Sequence, residues 1–148
     1  MALISGKKLE QRLDDISRNI KKASKVKVGF LEGATPYPDG TPVALVALIN
    51  DFGAPSRGQP PRPFFRNMVK EKSPAWPAAV AKELVANNYD VRITLKRMGL
   101  AIAGQLRESI TEGTYAPLAG STIARKGFDK PLVDTGHMLN SVDYEVEE

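Results

Sequence analysis

The sequence predicts an α+β domain: a small antiparallel sheet packed against a long helix, with shorter helices and a protruding proline-rich loop. Three observations predict it. Val26, Val28 and Phe30 alternate with Lys25, Lys27 and Gly29, and near the other end Val142, Tyr144 and Val146 alternate with Asp143, Glu145 and Glu147. Both runs have the two-residue period of half-buried strands. Between them, Val91, Leu95, Met98, Ile102, Leu106 and Ile110 recur at three- and four-residue steps, the period of one helix face over about 91–111. Runs of strand and helix that do not alternate regularly favour α+β over a parallel sheet.

The elements follow in order. Ser5 is an N-cap for a helix over 6–23, with Lys8 standing where a capping-box glutamate would. Leu9, Leu13, Ile16 and Ile20 give that helix a narrow apolar seam, so it is either peripheral or a docking element. After the first strand, Pro36, Pro38, Gly40 and Pro42 mark a loop, with Asp39-Gly40 as a tight turn. The almost wholly apolar run Val43–Phe52 reads as a short buried helix with Thr41 as N-cap, Pro42 as first residue and Gly53 as stop. Residues 53–63 form a loop stiffened by four prolines. Phe64, Phe65, Met68 and Val69 enter the core on a short helix. An alanine-rich helix over about 74–88 follows, anchored by Trp76 and Leu84 and ended by Asn87-Asn88. Asp90 caps the long helix, in which Gly99, Ala101, Ala103 and Gly104 leave room for a close neighbour. Residues 113–131 are mostly loop. The last strand is expected to pair with the one at Val26–Phe30, with the long helix across both.

At 148 residues the chain fits one domain, 1–148, with a basic amphipathic helix in 1–24 and the α+β core in 25–148. It has no cysteine, so disulfides and thiolate metal sites are excluded. No segment reaches the roughly 20 apolar residues that span a bilayer, and the start lacks a signal-peptide pattern. The protein is therefore expected to be soluble, intracellular at synthesis and not membrane-bound. The net charge of +4 is uneven: residues 1–30 hold eight Lys/Arg against three Asp/Glu, while four acids, Asp143, Glu145, Glu147 and Glu148, close the chain. Such asymmetry marks a nucleic-acid patch, a surface that meets a neighbour's acidic face, or simply a solvated helix.

Catalytic motifs are weak. Asp134-Thr135-Gly136 is the triplet of aspartic proteases, and Leu132-Val133 precede it, but only twelve residues follow Gly136. That leaves no room for the flap and later strands that close such a cleft, so a turn or helix-cap role is expected. His137 is the sole histidine. With no cysteine it has no partners for a zinc site or a Cys/His pair, and no G-x-S-x-G elbow offers a serine. Gly120-Ser121-Thr122 and Arg125-Lys126-Gly127 are fragments of a phosphate loop in the wrong order. Glu108 and Glu112 share a helix face as a solvated edge. No enzyme, cofactor or metal role is expected.

Two stretches resemble a specific family. The first is Ile49-Asn50-Asp51-Phe52-Gly53 followed by Pro60-Pro61-Arg62-Pro63-Phe64-Phe65-Arg66. The second is Tyr115-Ala116-Pro117-Leu118, then Ser121–Gly127, then Lys130-Pro131-Leu132 with Asp134-Thr135-Gly136, Met138-Leu139, Ser141-Val142 and Tyr144 to Val146. Their order and spacing, over roughly 43–66 and 115–146, resemble the small neck and minor tail proteins of tailed bacteriophages (tail-completion, head–tail joining or virion morphogenesis proteins). There an N-E-F-G segment leads to P-P-R-P-F and a later P-L-x-x-T-G-x-L-x-x-S; here Asp51 stands for the glutamate and Met138-Leu139 cover the leucine.

The resemblance implies a non-enzymatic virion protein in the phage neck or tail, assembled in the host cytoplasm. It implies a homo-oligomeric ring, usually of six subunits, between head connector or stopper proteins and tail terminator or tail tube proteins, with genomic DNA passing through the lumen without sequence-specific binding. On that reading the contact residues are Pro60, Pro61, Arg62, Pro63 and Arg57 of the stiff loop, with Lys7, Lys8, Lys21, Lys22, Arg125 and Lys126. Asp51, Phe52, Gly53, Phe64, Leu118, Asp134, Thr135, Gly136, Leu139 and Tyr144 hold the fold. No large exposed apolar patch is expected, so the isolated chain is expected to be monomeric and to assemble on a partner ring. The alternative is a nucleic-acid-binding module using the N-terminal lysines.

Overall fold

A computed structural model describes residues 5–113 and 136–148. The order is α1 (Gly6–Ile20), β1 (Lys25–Phe30), α2 (Val43–Phe52), α3 (Phe64–Lys72), α4 (Trp76–Ala86), α5 (Val91–Glu112), α6 (His137–Asn140) and β2 (Val142–Glu147). Short 3₁₀ turns lie at Pro55–Arg57 and Ser73–Ala75. The fold is α+β, as expected: a two-stranded antiparallel sheet lies along the long helix α5.

The expected pairing of the two strands is present. Val26 faces Val146, Val28 faces Tyr144 and Phe30 faces Val142. These apolar pairs lie on one face of the pleat because side chains alternate. Val142 is buried and Val28 and Phe30 pack on the core. The other face carries Lys25, Lys27, Asp143, Glu145 and Glu147.

Helix α5 begins where expected: the Asp90 side chain accepts from the Ile93 amide at 3.2 Å. Its buried line differs from the expected one. Thr94, Met98, Gly99, Ala103, Leu106 and Ile110 are buried, whereas Leu95 and Ile102 are only half-buried. The sheet comes so close that the smallest residues face it and larger ones flank it. A Cβ at Gly99 would stand 2.5 Å from Tyr144 Cδ2 and 2.7 Å from its Cγ. Thr94 is accommodated because its hydroxyl donates to the Asp90 carbonyl at 2.9 Å. Gly104, expected to be part of the same close approach, has nothing within 4 Å of a built Cβ. Packing explains the first glycine and not the second.

The core joins α2, α3, α5, α6 and β2 through Val43, Ala47, Phe64, Met68, Leu106, Ile110, Met138 and Val142. Phe64 and Leu106 are wholly enclosed, each contributing about 1.5–3 kcal/mol of apolar burial. Trp76 anchors α4 through its indole N–H, which donates to Gln105 at 2.9 Å.

Several boundaries move. Helix α1 ends at Ile20, short of 23, where Lys21 and Lys22 turn back and Ala23 enters the interior. Ser5 caps it as expected, accepting from the Lys8 amide at 3.4 Å. Helix α2 is capped by Pro42, extended at φ −62° and ψ 138°, not by Thr41. The alanine-rich helix starts at Trp76 and stops at Ala86, with Asn88 and Tyr89 at positive φ leading into α5.

Candidate functional site

The two segments that carried the first half of the resemblance interlock. Gly53 leaves α2 at φ 78° and ψ 178°, a region open to glycine alone. The chain then makes the 3₁₀ turn, pairs Ala54 with Gln59 as an isolated bridge, and returns along its own path. The Arg62 amide donates to the Asn50 carbonyl at 2.8 Å, and Gln59 reaches the Asn50 side chain at 3.4 Å. Prolines at 60, 61 and 63 have no amide to leave unsatisfied on this return.

Asp51 closes the unit. Its carboxylate is buried at 4% exposure, at the N-terminus of α3. Oδ1 accepts from the Phe65 and Arg66 amides at 3.1 and 3.3 Å. Oδ2 accepts from Arg66 Nε at 2.7 Å. Pro63, the residue before α3, makes no side-chain cap, so an aspartate fourteen residues upstream does that work. Arg66 also donates to the Asp51 carbonyl at 2.7 Å and lies 4.2 Å over the Phe52 ring. The spacing of Asp51 to Phe65-Arg66 thus locks two helices across a proline loop.

The proposed contact residues divide. Pro60, Pro61 and Arg57 are exposed and Pro63 is half-buried. Arg62 corrects the expectation: at 7% exposure its side chain lies inside the chain rather than on a docking surface, and burial lowers its pKa from the usual guanidinium range. Lys7, Lys8, Lys21 and Lys22 are all exposed. They mark the two ends of α1, about 20 Å apart at 1.5 Å per residue, so they do not form one patch. Lys22 pairs with Asp90 at 2.7 Å. Lys25 and Lys27 both pair with Glu147, and Arg92 pairs with Glu148. The hydrogen bonds from Lys27 and then Lys25 hold the Glu147 carboxyl below its ordinary pKa. Much of the sequence's charge asymmetry is therefore matched within one chain by strand pairing.

Of the predicted structural residues, Phe64 is fully buried, while Leu139 and Tyr144 are half-buried. Phe52 is not a core residue: it is 56% exposed and carries Arg66 on its ring. Gly136 sits at φ 75° in the turn before α6. Asp134, Thr135, Leu118, Arg125 and Lys126 lie outside the described residues. His137 is partnered: Nε2 lies 2.7 Å from the Thr35 carbonyl, and the ring packs 4.6 Å from Tyr37. Among the described residues no group of three His, Asp or Glu is placed to hold a metal ion, and no helix is long and apolar enough to cross a membrane.

Several large apolar side chains are exposed on the helices. Helix α1 has no buried residue; Leu9, Leu13 and Ile20 are 46–56% exposed along one stripe. Helix α2 is not a buried helix either. Val43, Ala47 and Asp51 face inward, but Leu45, Leu48 and Phe52 face out. Beside them a groove of about 490 Å³ opens between α2 and β1, lined by Val28, Phe30, Leu48, Phe52, Phe64 and Phe65 among others. Val85 on α4 and Ile93 and Leu100 on α5 are exposed as well. The run VALVALINDF carried the signal: no polar residue stands at the outward positions 45, 48 and 52, and the reading assumed a neighbour from the same chain.

Compared with protein-family models, with curated proteins and with solved structures, the chain matches none.

Proposed function

We propose that the chain is a structural subunit of a bacteriophage neck, one copy of a ring that completes the tail end or joins the head connector to the tail tube. The observation that carries this reading is the pair of uncovered apolar faces, one on α1 and one on α2 with its groove. Apolar surface of this kind marks a protein–protein contact, and two separate faces suit a subunit with a neighbour on each side. The interlocked Asp51–Arg66 unit supports it, because it explains why the N-D-F-G and P-P-R-P-F segments occur together at this spacing. The stiff loop carrying exposed Pro60 and Pro61 is preorganised, so little conformational entropy is lost if it docks.

The test is electron microscopy of particles made by the encoding phage after deletion of this gene. Tails without heads, or heads that leak DNA, are expected, with infectivity restored by the gene in trans. Normal, joined, infectious particles would end the proposal.

A further inference from the structure

The bonds that tie helix α1 to the rest of the molecule gather at one end. Ile16 and Asn19 are half-buried, and every other residue of α1 is exposed. Among the described residues, those from Gly6 to Arg18 form no hydrogen bond or ion pair beyond the helix and its Ser5 cap. The ties begin at Asn19. Its side-chain amide donates to the Asn88 carbonyl at 2.9 Å, Lys22 Nζ donates to Asp90 Oδ2 at 2.7 Å, and Arg92 donates to the Lys22 carbonyl at 3.2 Å. All three are open to water, and Arg92 also pairs with Glu148. Beyond them the chain is fixed at once: Ala23 is buried, and the Ser24 amide donates to the Glu147 carbonyl at 2.8 Å. The turn that receives these ties is strained. Asn88 and Tyr89 both sit in the left-handed region, at φ 53° and 61°. Asparagine tolerates that region, and tyrosine rarely adopts it. Such strain persists where neighbouring bonds hold it, and it gathers at segments that switch between arrangements.

We infer that α1 is a hinged arm, latched to the start of α5 through Asn19, Lys22, Asn88, Asp90 and Arg92, and that it turns about Lys21 and Lys22 when the latch opens. No buried apolar contact opposes the movement, because α1 has no buried residue and Leu9, Leu13 and Ile20 are already about half exposed. What holds the arm is polar. The Lys22 side chain is 43% exposed, so dissolved ions reach the pair with Asp90 and shorten the range of its attraction. Ionic strength then sets the share of molecules in which the arm is free. The arm extends about 22 Å at 1.5 Å per residue, so a small change at Lys21 carries Leu9 and Leu13 a long way. The rest of the fold need not move, because Ala23 and Ser24 stay anchored beside β2. The inference concerns the isolated chain and does not rest on the neck reading.

The chain has no cysteine, so introduced pairs take spin labels specifically. Glu10→Cys on α1 with Lys82→Cys on α4 reports the arm, and Lys82→Cys with Glu108→Cys on α5 reports the body. All three positions are exposed. Pulsed electron–electron double resonance on the full chain reads both distances at low salt and in about 1 M sodium chloride, where the screening length is about 3 Å. The same is done with Asn19→Ala and Lys22→Gln added. Those two changes remove the Asn88 and Asp90 ties and leave α5 intact, and alanine favours the helix, so α1 itself is not weakened at Asn19. Asp90→Asn keeps an oxygen to cap α5 and carries the same test if the double variant unfolds. The arm pair is expected to give one narrow distance at low salt. The share of molecules outside it is expected to rise about tenfold in the variant, and to rise with salt in the unsubstituted arm. The body pair is expected to stay narrow throughout. An arm distance already broad at low salt, one left unmoved by the variant or by salt, or a body pair that broadens with the arm would overturn the inference.

Discussion

Gly53→Ala is expected to lower stability by about 4 kcal/mol, close to 12 °C in melting temperature for a chain of this size. Two causes add. The backbone at φ 78° and ψ 178° strains any residue with a Cβ, at roughly 1–3 kcal/mol. The new Cβ would also meet backbone: 2.7 Å to the Pro61 nitrogen and 2.9 Å to the Gln59 carbonyl oxygen. Neither atom belongs to a flexible side chain, so the proline return must move away from Asn50, breaking the Arg62 amide bond to it. Gly58→Ala in the same loop separates the causes. Gly58 has φ 66° with nothing within 4 Å of a Cβ, so it carries strain alone, about 1 kcal/mol. Equal losses at both positions, read by thermal and urea denaturation, would show that the close return contributes nothing.

Asp51→Ala should cost about 3 kcal/mol. It strips the acceptor from two amides at the start of α3 and from Arg66 Nε. The amides belong to a helix with no other side-chain cap, so their loss is not recovered locally. The ion pair contributes less than its geometry implies, because the Arg66 side chain is 49% exposed and water screens it. Asp51→Asn keeps an amide oxygen for the α3 backbone and gives up the charge, so a loss of about 1 kcal/mol is expected. An asparagine variant as unstable as the alanine one would make the charge pair, not the cap, the reason for an aspartate here.

Much of the fold was legible because its signals are local. Alternation at 25–30 and 142–147 gave both strands, and matching apolar positions gave their pairing. Asp90, Ser5 and Gly53 gave helix ends because cap chemistry depends on a few adjacent residues. The face of α5 was displaced because a sheet at close range selects Gly99 and Ala103, and size-based periodicity ranks Leu95 and Ile102 above them. The role of Asp51 was out of reach: capping from fourteen residues upstream leaves no spacing rule in a single sequence.

The uncovered face of α2 was misread for a related reason. An almost wholly apolar run suggests that every side is covered and does not name the chain that covers it. Leu45, Leu48 and Phe52 are left exposed by the fold of the described residues.

If the chain is a neck subunit as proposed, electron cryo-microscopy of the neck of a phage that carries its gene tests that role most directly. The expected result is a closed ring of this chain between the connector and the tail, with the exposed apolar side chains of α1 and α2 covered by neighbouring subunits. A neck whose density is fully accounted for without this chain would contradict it.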